Sequence, residues 1–355
     1  MTDTKTTTTI LCGDAREKLK EIPEKSVQMC VTSPPYYALR NYGGGDDEIG
    51  TESTPKEYID NLVEVFREVK RVLKDDGTLW LNIGDSYVAG ATGNSIGTGS
   101  STLQGGKQTQ IEAAKRPAKR AGSGLKAKDM IGIPWMLAFA LRADGWYLRN
   151  DIIWHKTNPM PESVTDRCTR SHEHLFLFAK QSHYYFDGKA IKEPCSQESV
   201  NDFLRRKNTD NKGADRPNKY NAVRPDLYRD RADYMPEGFQ RNRHDVWTIL
   251  TAAFSGSHFA TFPEALVEPC ILAGSREGDT VLDPFNGAGT TGVVCVKLGR
   301  NYIGTELNPE YVSMAEKRIA DTRLELEYGF KAGKTPKDTF EYESSLFDEM
   351  SGETA

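Results

Sequence analysis

The stretch TVLDPFNGAGTTGVVCVKLGRNYIGTELNPEY, residues 280–311, decides the fold of this chain. TVLD (280–283) is a short apolar run typical of a buried strand, and TTGVVCVKLG (290–299) predicts a helix that ends at its glycine. NYIGTE (301–306) is the next strand, and a second helix begins at NPEY with an asparagine cap. This order of strand, helix, strand and helix predicts a parallel sheet covered by helices.

The loop DPFNGAGTT, residues 283–291, has the composition of a ligand-binding turn. Gly287 and Gly289 follow a strand, which is where open αβ sheets bind ligands, and glycine allows the backbone to approach a ligand closely. The spacing is not GxGxxG and no Walker lysine follows, so a dinucleotide is disfavoured and a phosphate loop is excluded. Glu306 ends the next strand, 19 residues after Gly287, and is placed to accept hydrogen bonds from ribose hydroxyls. A tight turn without a ligand is the alternative.

A second motif, TSPPYY (32–37), ends the predicted strand VQMCVT (27–32). Two prolines fix the backbone and remove N–H donors, which leaves carbonyl acceptors, the Ser33 hydroxyl and two tyrosines. An exocyclic amino group needs acceptors for its N–H bonds, and a flat base needs an aromatic platform. A packed proline turn is the alternative for this motif alone.

The region between the motifs adds further elements of the same sheet. Thr54, Pro55 and Glu57 predict a helix start with a capping box, and apolar residues then recur on one face until Gly77. TLWLNI (78–83) is the following strand. A helix at IPWMLAFALRADGW and strands at 149–156 and 173–180 come later.

Positive charge is concentrated in two segments, although the chain as a whole has a net charge of −5. Residues 107–128 contain seven basic and one acidic residue, and residues 205–243 contain eleven basic and six acidic residues. Such segments fit a nucleic-acid surface, and solvated loops are the alternative. The tail, residues 331–355, has three lysines and six acids.

Several other classes of protein are disfavoured by the sequence. The six cysteines form no CxxC pair and His172 and His174 have no ligand cluster around them, so we expect reduced thiols and no metal. No apolar run is long enough to cross a membrane, and the N-terminal residues do not resemble a signal peptide, so we expect a cytoplasmic protein. Cys195 and Cys270 each follow a proline, but we do not expect a thiolate mechanism of the carbon-5 cytosine type.

With TSPPYY first and DPFNGAGTT last, the chain resembles the beta group of the amino-methylating DNA methyltransferases. The resemblance covers roughly residues 10–86, 130–186 and 255–320. It implies S-adenosylmethionine as methyl donor and a Rossmann-like α/β methyltransferase fold. In that fold a mixed seven-stranded sheet carries helices on both faces, with an inserted DNA-recognition region.

The resemblance also implies roles for individual residues. Asp283, Phe285, Gly287, Gly289 and Thr290 would line the methionine side of the cofactor. Glu306 would bind the ribose and Asp14 the adenine, while three residues of HFATFPEAL would close over the cofactor, namely His258, Phe262 and Pro263. Ser33 and Pro34 would hold the target amine, with Pro35 beside them, and Tyr36 would stack on the flipped base.

The implied reaction is in-line transfer of the methyl group to an exocyclic amine of a flipped base, without a metal or a covalent enzyme intermediate. Ser33 in first position of SPPY resembles the cytosine-N4 members, whereas adenine-N6 members usually carry DPPY or NPPY. The favoured product is therefore N4-methylcytosine, with N6-methyladenine as the alternative. Methylation of RNA or of a protein amide, and a catalytically inactive DNA-binding module, are more remote alternatives.

The chain is expected to divide into six segments. These are a catalytic half (1–85), a flexible basic insert (86–128), the remainder of the catalytic half (129–186), a target-recognition region (187–250), a cofactor-binding half (251–325) and an acidic tail (326–355). Duplex DNA is the expected partner, with a cognate restriction endonuclease as a further candidate and the oligomeric state open. The candidate DNA contacts are Lys115, Arg116, Lys119, Arg120, Arg205, Arg206, Lys207, Arg241 and Arg243.

Overall fold

A computed structural model describes residues 6–38, 48–88, 124–201, 240–251 and 262–329 of the chain. Two compact units are distinguished, Phe186–His244 and the rest of the chain. The strands are β1 (Thr8–Cys12), β2 (Val27–Thr32), β3 (Leu73–Ile83), β4 (Tyr147–His155), β5 (His172–Ala179), β6 (Glu193–Pro194), β7 (Gln240–Arg241), β8 (Val246–Thr248), β9 (Thr280–Asp283) and β10 (Asn301–Glu306). The α-helices are α1 (Ala15–Lys18), α2 (Pro55–Val72), α3 (Ile133–Ala143), α4 (Glu264–Gly274), α5 (Thr290–Lys297) and α6 (Pro309–Tyr328).

The larger unit is built on one mixed sheet whose strand order is β1-β10-β9-β2-β3-β5-β4-β8. The first five strands in that order run parallel to one another, and β5 is antiparallel to both of its neighbours, β3 and β4. The short strand β8 pairs in parallel with β4 and makes eight strands in the described residues, one more than the seven expected. A mixed sheet between helices is the α/β fold that the sequence predicts.

Helices cover both faces of this sheet because its central strands are apolar on both sides, as parallel strands generally are. On one face Cys30 and Leu79 join a buried cluster with the apolar sides of α2 and α3. On the other face Met29 and Trp80 lie against Gly274 of α4, where a Cβ would come within 2.8 Å of the Met29 sulfur. The result is a three-layer arrangement with the sheet in the middle.

Helix α2 begins as its sequence predicts. The Thr54 side chain accepts a hydrogen bond from the Glu57 backbone, the Glu57 side chain accepts one from the Thr54 backbone, and Pro55 is the first helical residue. The helix ends at Val72, so Leu73, which the apolar pattern placed on the helix, instead begins β3. Among the described helices, none is both long and apolar enough to span a membrane.

The smaller unit, Phe186–His244, has a short antiparallel pairing of β6 with β7 in its described part. Arg241 on β7 donates from Nε to the Glu193 carboxylate on β6 over 2.9 Å. Residues 245–250 follow this unit, and Val246–Thr248 form a strand of the large sheet.

Candidate active site

The two sequence motifs meet at one edge of the large sheet. Strands β2 and β9 are parallel neighbours, so the loops that follow Thr32 and Asp283 leave the sheet side by side. The Thr32 hydroxyl donates a hydrogen bond of 2.6 Å to the Asp283 carboxylate across 251 residues of chain. Beyond β9, the carboxyl ends of β10 and β1 continue the same edge, with Glu306 opposite Cys12. Four strand ends therefore lie side by side at this edge, which is where open αβ sheets bind ligands.

Asp283 is a fully buried carboxylate at the centre of this edge. One oxygen accepts from the Thr32 hydroxyl and the Phe285 N–H, and the other accepts from the Thr291 hydroxyl over 2.7 Å. Burial raises the pKa of Asp283 to about 6, and these three donors oppose the shift because they stabilise the ionised form. A nearby cation stabilises the ionised form of such a buried carboxylate and is attracted by it.

Glu306 lies beside the glycine loop, at the end of β10. Its carboxylate accepts from the Gly287 N–H over 2.8 Å and from the Asn308 N–H over 3.0 Å. Burial raises the pKa of Glu306, with the backbone N–H groups of Asn308 and Gly287 acting in the opposite direction. A carboxylate has about four acceptor positions, so further donors, such as two hydroxyl groups, can still be accepted.

Three side chains that the sequence analysis did not single out, Tyr302, Thr305 and Arg318, hold the glycine loop in place by hydrogen bonds. Tyr302 donates to the Asn286 side chain over 2.7 Å, and the Thr305 hydroxyl donates to the Pro284 carbonyl over 2.6 Å. Arg318 of α6 donates to the Ala288 carbonyl, and burial lowers the pKa of this guanidinium. These contacts fix the loop in space. Among the described residues, a Cβ at Gly287 would meet one backbone oxygen, at 3.9 Å.

Gly289 is required by both its backbone and its packing. Its φ is +77°, and a Cβ there would lie 2.7 Å from the Ala315 Cβ of α6. We expect Gly289→Ala to lower the free energy of unfolding by about 3 kcal/mol, through left-handed strain together with overpacking. Chemical denaturation measures the change. Gly278→Ala is the matched control, because Gly278 has a φ of +81° and no described residue lies within 4 Å of the added Cβ. An equal loss in the free energy of unfolding of the two variants would show that the contact of residue 289 with α6 does not contribute to the destabilisation.

The SPPY loop presents acceptors at the end of β2. Ser33 is half-buried and Pro34 is buried, and among the described residues no group hydrogen-bonds to the Ser33 hydroxyl or the Pro34 carbonyl. The Pro35 carbonyl, in contrast, accepts from the Tyr58 hydroxyl of α2 over 2.8 Å. Tyr37 is buried with its ring 5.4 Å from that of Tyr58. The loop is thus anchored through Pro35 and Tyr37, and the acceptors of Ser33 and Pro34 remain available.

Tyr36 points along the edge toward β3 and β5. Its hydroxyl donates to the Glu173 carboxylate over 2.6 Å and lies 3.3 Å from the Asn82 side-chain oxygen. Glu173 in turn forms an ion pair with Lys156. Glu173 lies between His172 and His174 and was not singled out from the sequence. The antiparallel strand β5 begins at the edge where β3 ends, and this places an acid from its first residues at the site.

The remaining predicted cofactor residues differ in their surroundings. Asp14 follows β1 and accepts from the Arg16 backbone and guanidinium. Phe285 packs against the buried cluster, and Thr290 is buried at the start of α5. Phe262 and Pro263 lead into α4. His258 lies outside the described residues.

Most of the predicted DNA contacts also lie outside the described residues. This applies to Lys115, Arg116, Lys119, Arg120, Arg205, Arg206 and Lys207. Arg241 is paired with Glu193 in the smaller unit, and Arg243 belongs to the same unit. In the described part of the chain, no group of three His, Cys, Asp or Glu side chains could hold a metal ion.

Comparisons with known proteins agree with this geometry. The profile of the DNA methylase family, named for N6 and N4 methyltransferases, matches residues 27–317. The type II methyltransferase M.SmaI of Serratia marcescens is 46% identical over 88% of this chain and 91% of its own length. M.Cfr9I of Citrobacter freundii, also a type II methyltransferase, is 45% identical over 88% of this chain and 87% of its own length.

Solved structures share the fold. PvuII DNA methyltransferase (cytosine-N4-specific) superposes with a TM-score of 0.56 at 19% identity, over 90% of this chain and 92% of that one. The putative DNA modification methylase TTHA0409 from Thermus thermophilus, complexed with S-adenosyl-L-methionine, gives a TM-score of 0.51 at 24% identity, over 89% and 96%. The family match, the relatives and the two motifs that meet at one sheet edge lead to a single conclusion. The chain belongs to the DNA methylase family and is a DNA methyltransferase.

Proposed function

We propose that this enzyme transfers a methyl group to the exocyclic N4 amine of cytosine at a specific site in duplex DNA. The observation that carries the proposal is the hydrogen bond between Thr32 and Asp283, because it joins the acceptor loop Ser33–Pro34 to the glycine loop that follows β9. A transferable methyl group and an amine held by those acceptors would then be close together. PvuII DNA methyltransferase, which is cytosine-N4-specific by name, shares the fold, and Ser33 begins the SPPY motif here as the N4 resemblance implies.

The methyl donor is S-adenosylmethionine, which supplies an electrophilic methyl group on a positively charged sulfur. The described residues fit it. Asp283 offers a buried carboxylate to a cation, and Glu306 offers acceptors to ribose hydroxyls. At Gly287 the described part of the chain leaves room for a close approach to the backbone. Asp14 lies at the end of the neighbouring strand β1, where an adenine ring would extend. Phe262 and Pro263 would complete the enclosure at the start of α4.

The chain's own residues act on the amine by accepting its hydrogen bonds. The lone pair of an aromatic amine is delocalised into the ring, so the amine is a weak nucleophile. The Ser33 hydroxyl and the Pro34 carbonyl accept its two N–H bonds and favour the pyramidal form, in which the lone pair is localised on nitrogen. Fixed acceptors at that position lower the barrier without a covalent intermediate. As the nitrogen–methyl bond forms, the bond to sulfur breaks, the thioether leaves, and the amine releases one proton to water.

A target base must leave the duplex to reach this edge. We propose that Tyr36 stacks on the flipped base and that the unit Phe186–His244, with the basic segment before it in the chain at 107–128, contacts the DNA. Arg241 and Arg243 are the described candidates in that unit for phosphate or guanine contacts. M.SmaI and M.Cfr9I are type II methyltransferases by name, which supports a restriction-modification role with a cognate endonuclease in the cytoplasm.

The deciding experiment is methylation of plasmid DNA with labelled S-adenosylmethionine, followed by digestion to nucleosides and mass analysis. N4-methylcytosine is the expected product, and sequencing of the modified plasmid maps the site. Detection of N6-methyladenine would be compatible with the proposed mechanism and would show that the target base is adenine. Absence of label in any DNA, with label appearing in RNA or protein, would overturn the proposed substrate.

Cofactor affinity should depend on pH through Asp283. With a pKa of about 6 in the free enzyme, this carboxyl is ionised at pH 7 and largely protonated at pH 5. A cationic ligand binds the ionised form, so affinity is full well above the pKa of about 6 and is lost as the pH falls through it. We expect the dissociation constant of S-adenosylmethionine to rise about tenfold from pH 7 to pH 5. Isothermal titration calorimetry measures it.

Two controls isolate the cause of this pH dependence. S-adenosylhomocysteine has no charge on sulfur and should show a much smaller change over the same pH range. Asp283→Asn removes the titrating group and should flatten the curve, leaving only the contribution of Glu306, whose pKa burial also raises. An unchanged slope in the Asp283→Asn variant would contradict the assignment.

A further inference from the structure

The Tyr36 ring is restrained on one face by the backbone after β3. A Cβ at Gly84 would lie 2.7 Å from the Tyr36 Cε2 atom, so the ring packs directly on this glycine. Its other restraint is the hydroxyl, which donates to Glu173 over 2.6 Å. A hydroxyl bonded to a carboxylate at this distance makes a strong, charge-assisted hydrogen bond. The contact with Gly84 and the hydrogen bond of the hydroxyl together give the ring a defined orientation.

The Glu173 carboxylate is itself held from two sides. One oxygen forms the ion pair with Lys156 at the end of β4, and the other lies 3.3 Å from the Asn82 side-chain nitrogen at the end of β3. Asn82 is 2% exposed and also donates to the His174 carbonyl over 3.2 Å. The Lys156 ammonium lies 4.4 Å from the centre of the Trp154 ring. Three adjacent strands thus fix the carboxylate.

A largely buried ion pair such as Glu173 with Lys156 need not stabilise the fold, because the desolvation of the two charges offsets the attraction between them. The Glu173 and Lys156 side chains are 14% and 19% exposed. The position of this ion pair is better explained by the hydrogen bond that the Glu173 carboxylate accepts from the Tyr36 hydroxyl. Tyr36 is the only described residue of the SPPY motif that donates a side-chain hydrogen bond to Glu173.

We propose that Glu173, supported by Lys156 and Asn82, is a positioning residue that fixes the Tyr36 ring as the platform for the flipped base. This inference rests on the proposed function, in which Tyr36 stacks on the target. Loosening the ring would reduce the population of the flipped state and would leave cofactor binding intact. The loss of methylation rate should therefore be largest on a fully paired duplex, in which base flipping costs the most free energy.

The test compares single-turnover methylation by the wild type, Glu173→Ala, Tyr36→Phe and the double variant. The substrate is an oligonucleotide duplex carrying the site mapped on plasmid DNA. We expect each single variant to be slower by about tenfold or more, the loss of one strong hydrogen bond. The double variant should be no slower than the singles, because both changes remove the same contact. Additive losses would contradict action through Tyr36.

A second readout separates positioning from a merely structural role. Placing a mismatch opposite the target base lowers the cost of flipping, so Glu173→Ala should recover most of its rate on the mismatched duplex. Glu173→Gln keeps an acceptor for the tyrosine and should retain more activity than Glu173→Ala on the paired duplex. Equal losses on both duplexes, without rescue by glutamine, would overturn the proposal.

Asp144→Ala serves as the matched control. Asp144 is a carboxylate of similar exposure, 16%, paired with Arg67 over 2.6 Å, and it precedes β4 at the opposite edge of the sheet. This variant should methylate both duplexes at the wild-type ratio. Thermal unfolding and binding of S-adenosylmethionine are measured for every variant. A wild type that methylates no DNA would overturn the proposed function; an active wild type with an unaffected Glu173→Ala would overturn only the positioning role.

Discussion

Replacing Ser33 by alanine is expected to lower the methylation rate constant about 100-fold and to leave the affinity for S-adenosylmethionine unchanged. The hydroxyl is half-buried and, within the described residues, has no hydrogen-bond partner, so its removal leaves no buried group unsatisfied. What is lost is one of two acceptors for the target amine, and a fixed group that stabilises charge in a transition state typically contributes a factor of this size. Single-turnover kinetics on the mapped duplex measure the rate, and calorimetry measures cofactor binding.

Ser182→Ala is a suitable control for this substitution. Ser182 is exposed in the turn after β5, so the same atoms are removed far from the site and wild-type kinetics are expected. A Ser33→Ala enzyme with a full rate on both cytosine-containing and adenine-containing targets would remove the hydroxyl from the mechanism. The Pro34 carbonyl would then have to act alone.

Local features of the fold could be predicted from the sequence because their causes lie within a few residues. The capping box of Thr54 and Glu57 and the buried strand Val27–Thr32 each follow from short-range chemistry. The position of Glu306, 19 residues after Gly287, was also predictable, since one helix of ordinary length separates the two strands. Its direct bond to the Gly287 N–H also requires β10 to lie beside β9.

Contacts that depend on strand order could not be predicted in the same way. Nothing near Thr32 in the chain indicates that it donates to Asp283, because the partner is 251 residues away and the contact requires β2 beside β9. The support of Tyr36 by Glu173 and Lys156 requires an antiparallel β5 between β3 and β4. Periodicity identifies these strands as strands, but it does not give their order or direction.

Glu306→Gln is expected to weaken binding of S-adenosylmethionine on the order of 100-fold, the loss of hydrogen bonds from two hydroxyl groups to a charged acceptor. The geometry makes this isosteric change severe. Both carboxylate oxygens already accept backbone N–H groups, from Gly287 and from Asn308. A glutamine has one side-chain oxygen, so its amide nitrogen must face one of these two N–H donors and displace either the glycine loop or the start of α6.

Calorimetry with S-adenosylmethionine and S-adenosylhomocysteine measures the effect, and both ligands should lose affinity equally, because they share the ribose and differ only at sulfur. This equality distinguishes Glu306 from Asp283, whose replacement should affect the charged ligand more. Glu310→Gln, an exposed position in the first turn of α6, is the control and should bind both ligands as the wild type does. If Glu306→Gln binds both with wild-type affinity, the ribose is held elsewhere, and the carboxylate serves only to tie the glycine loop to the end of β10.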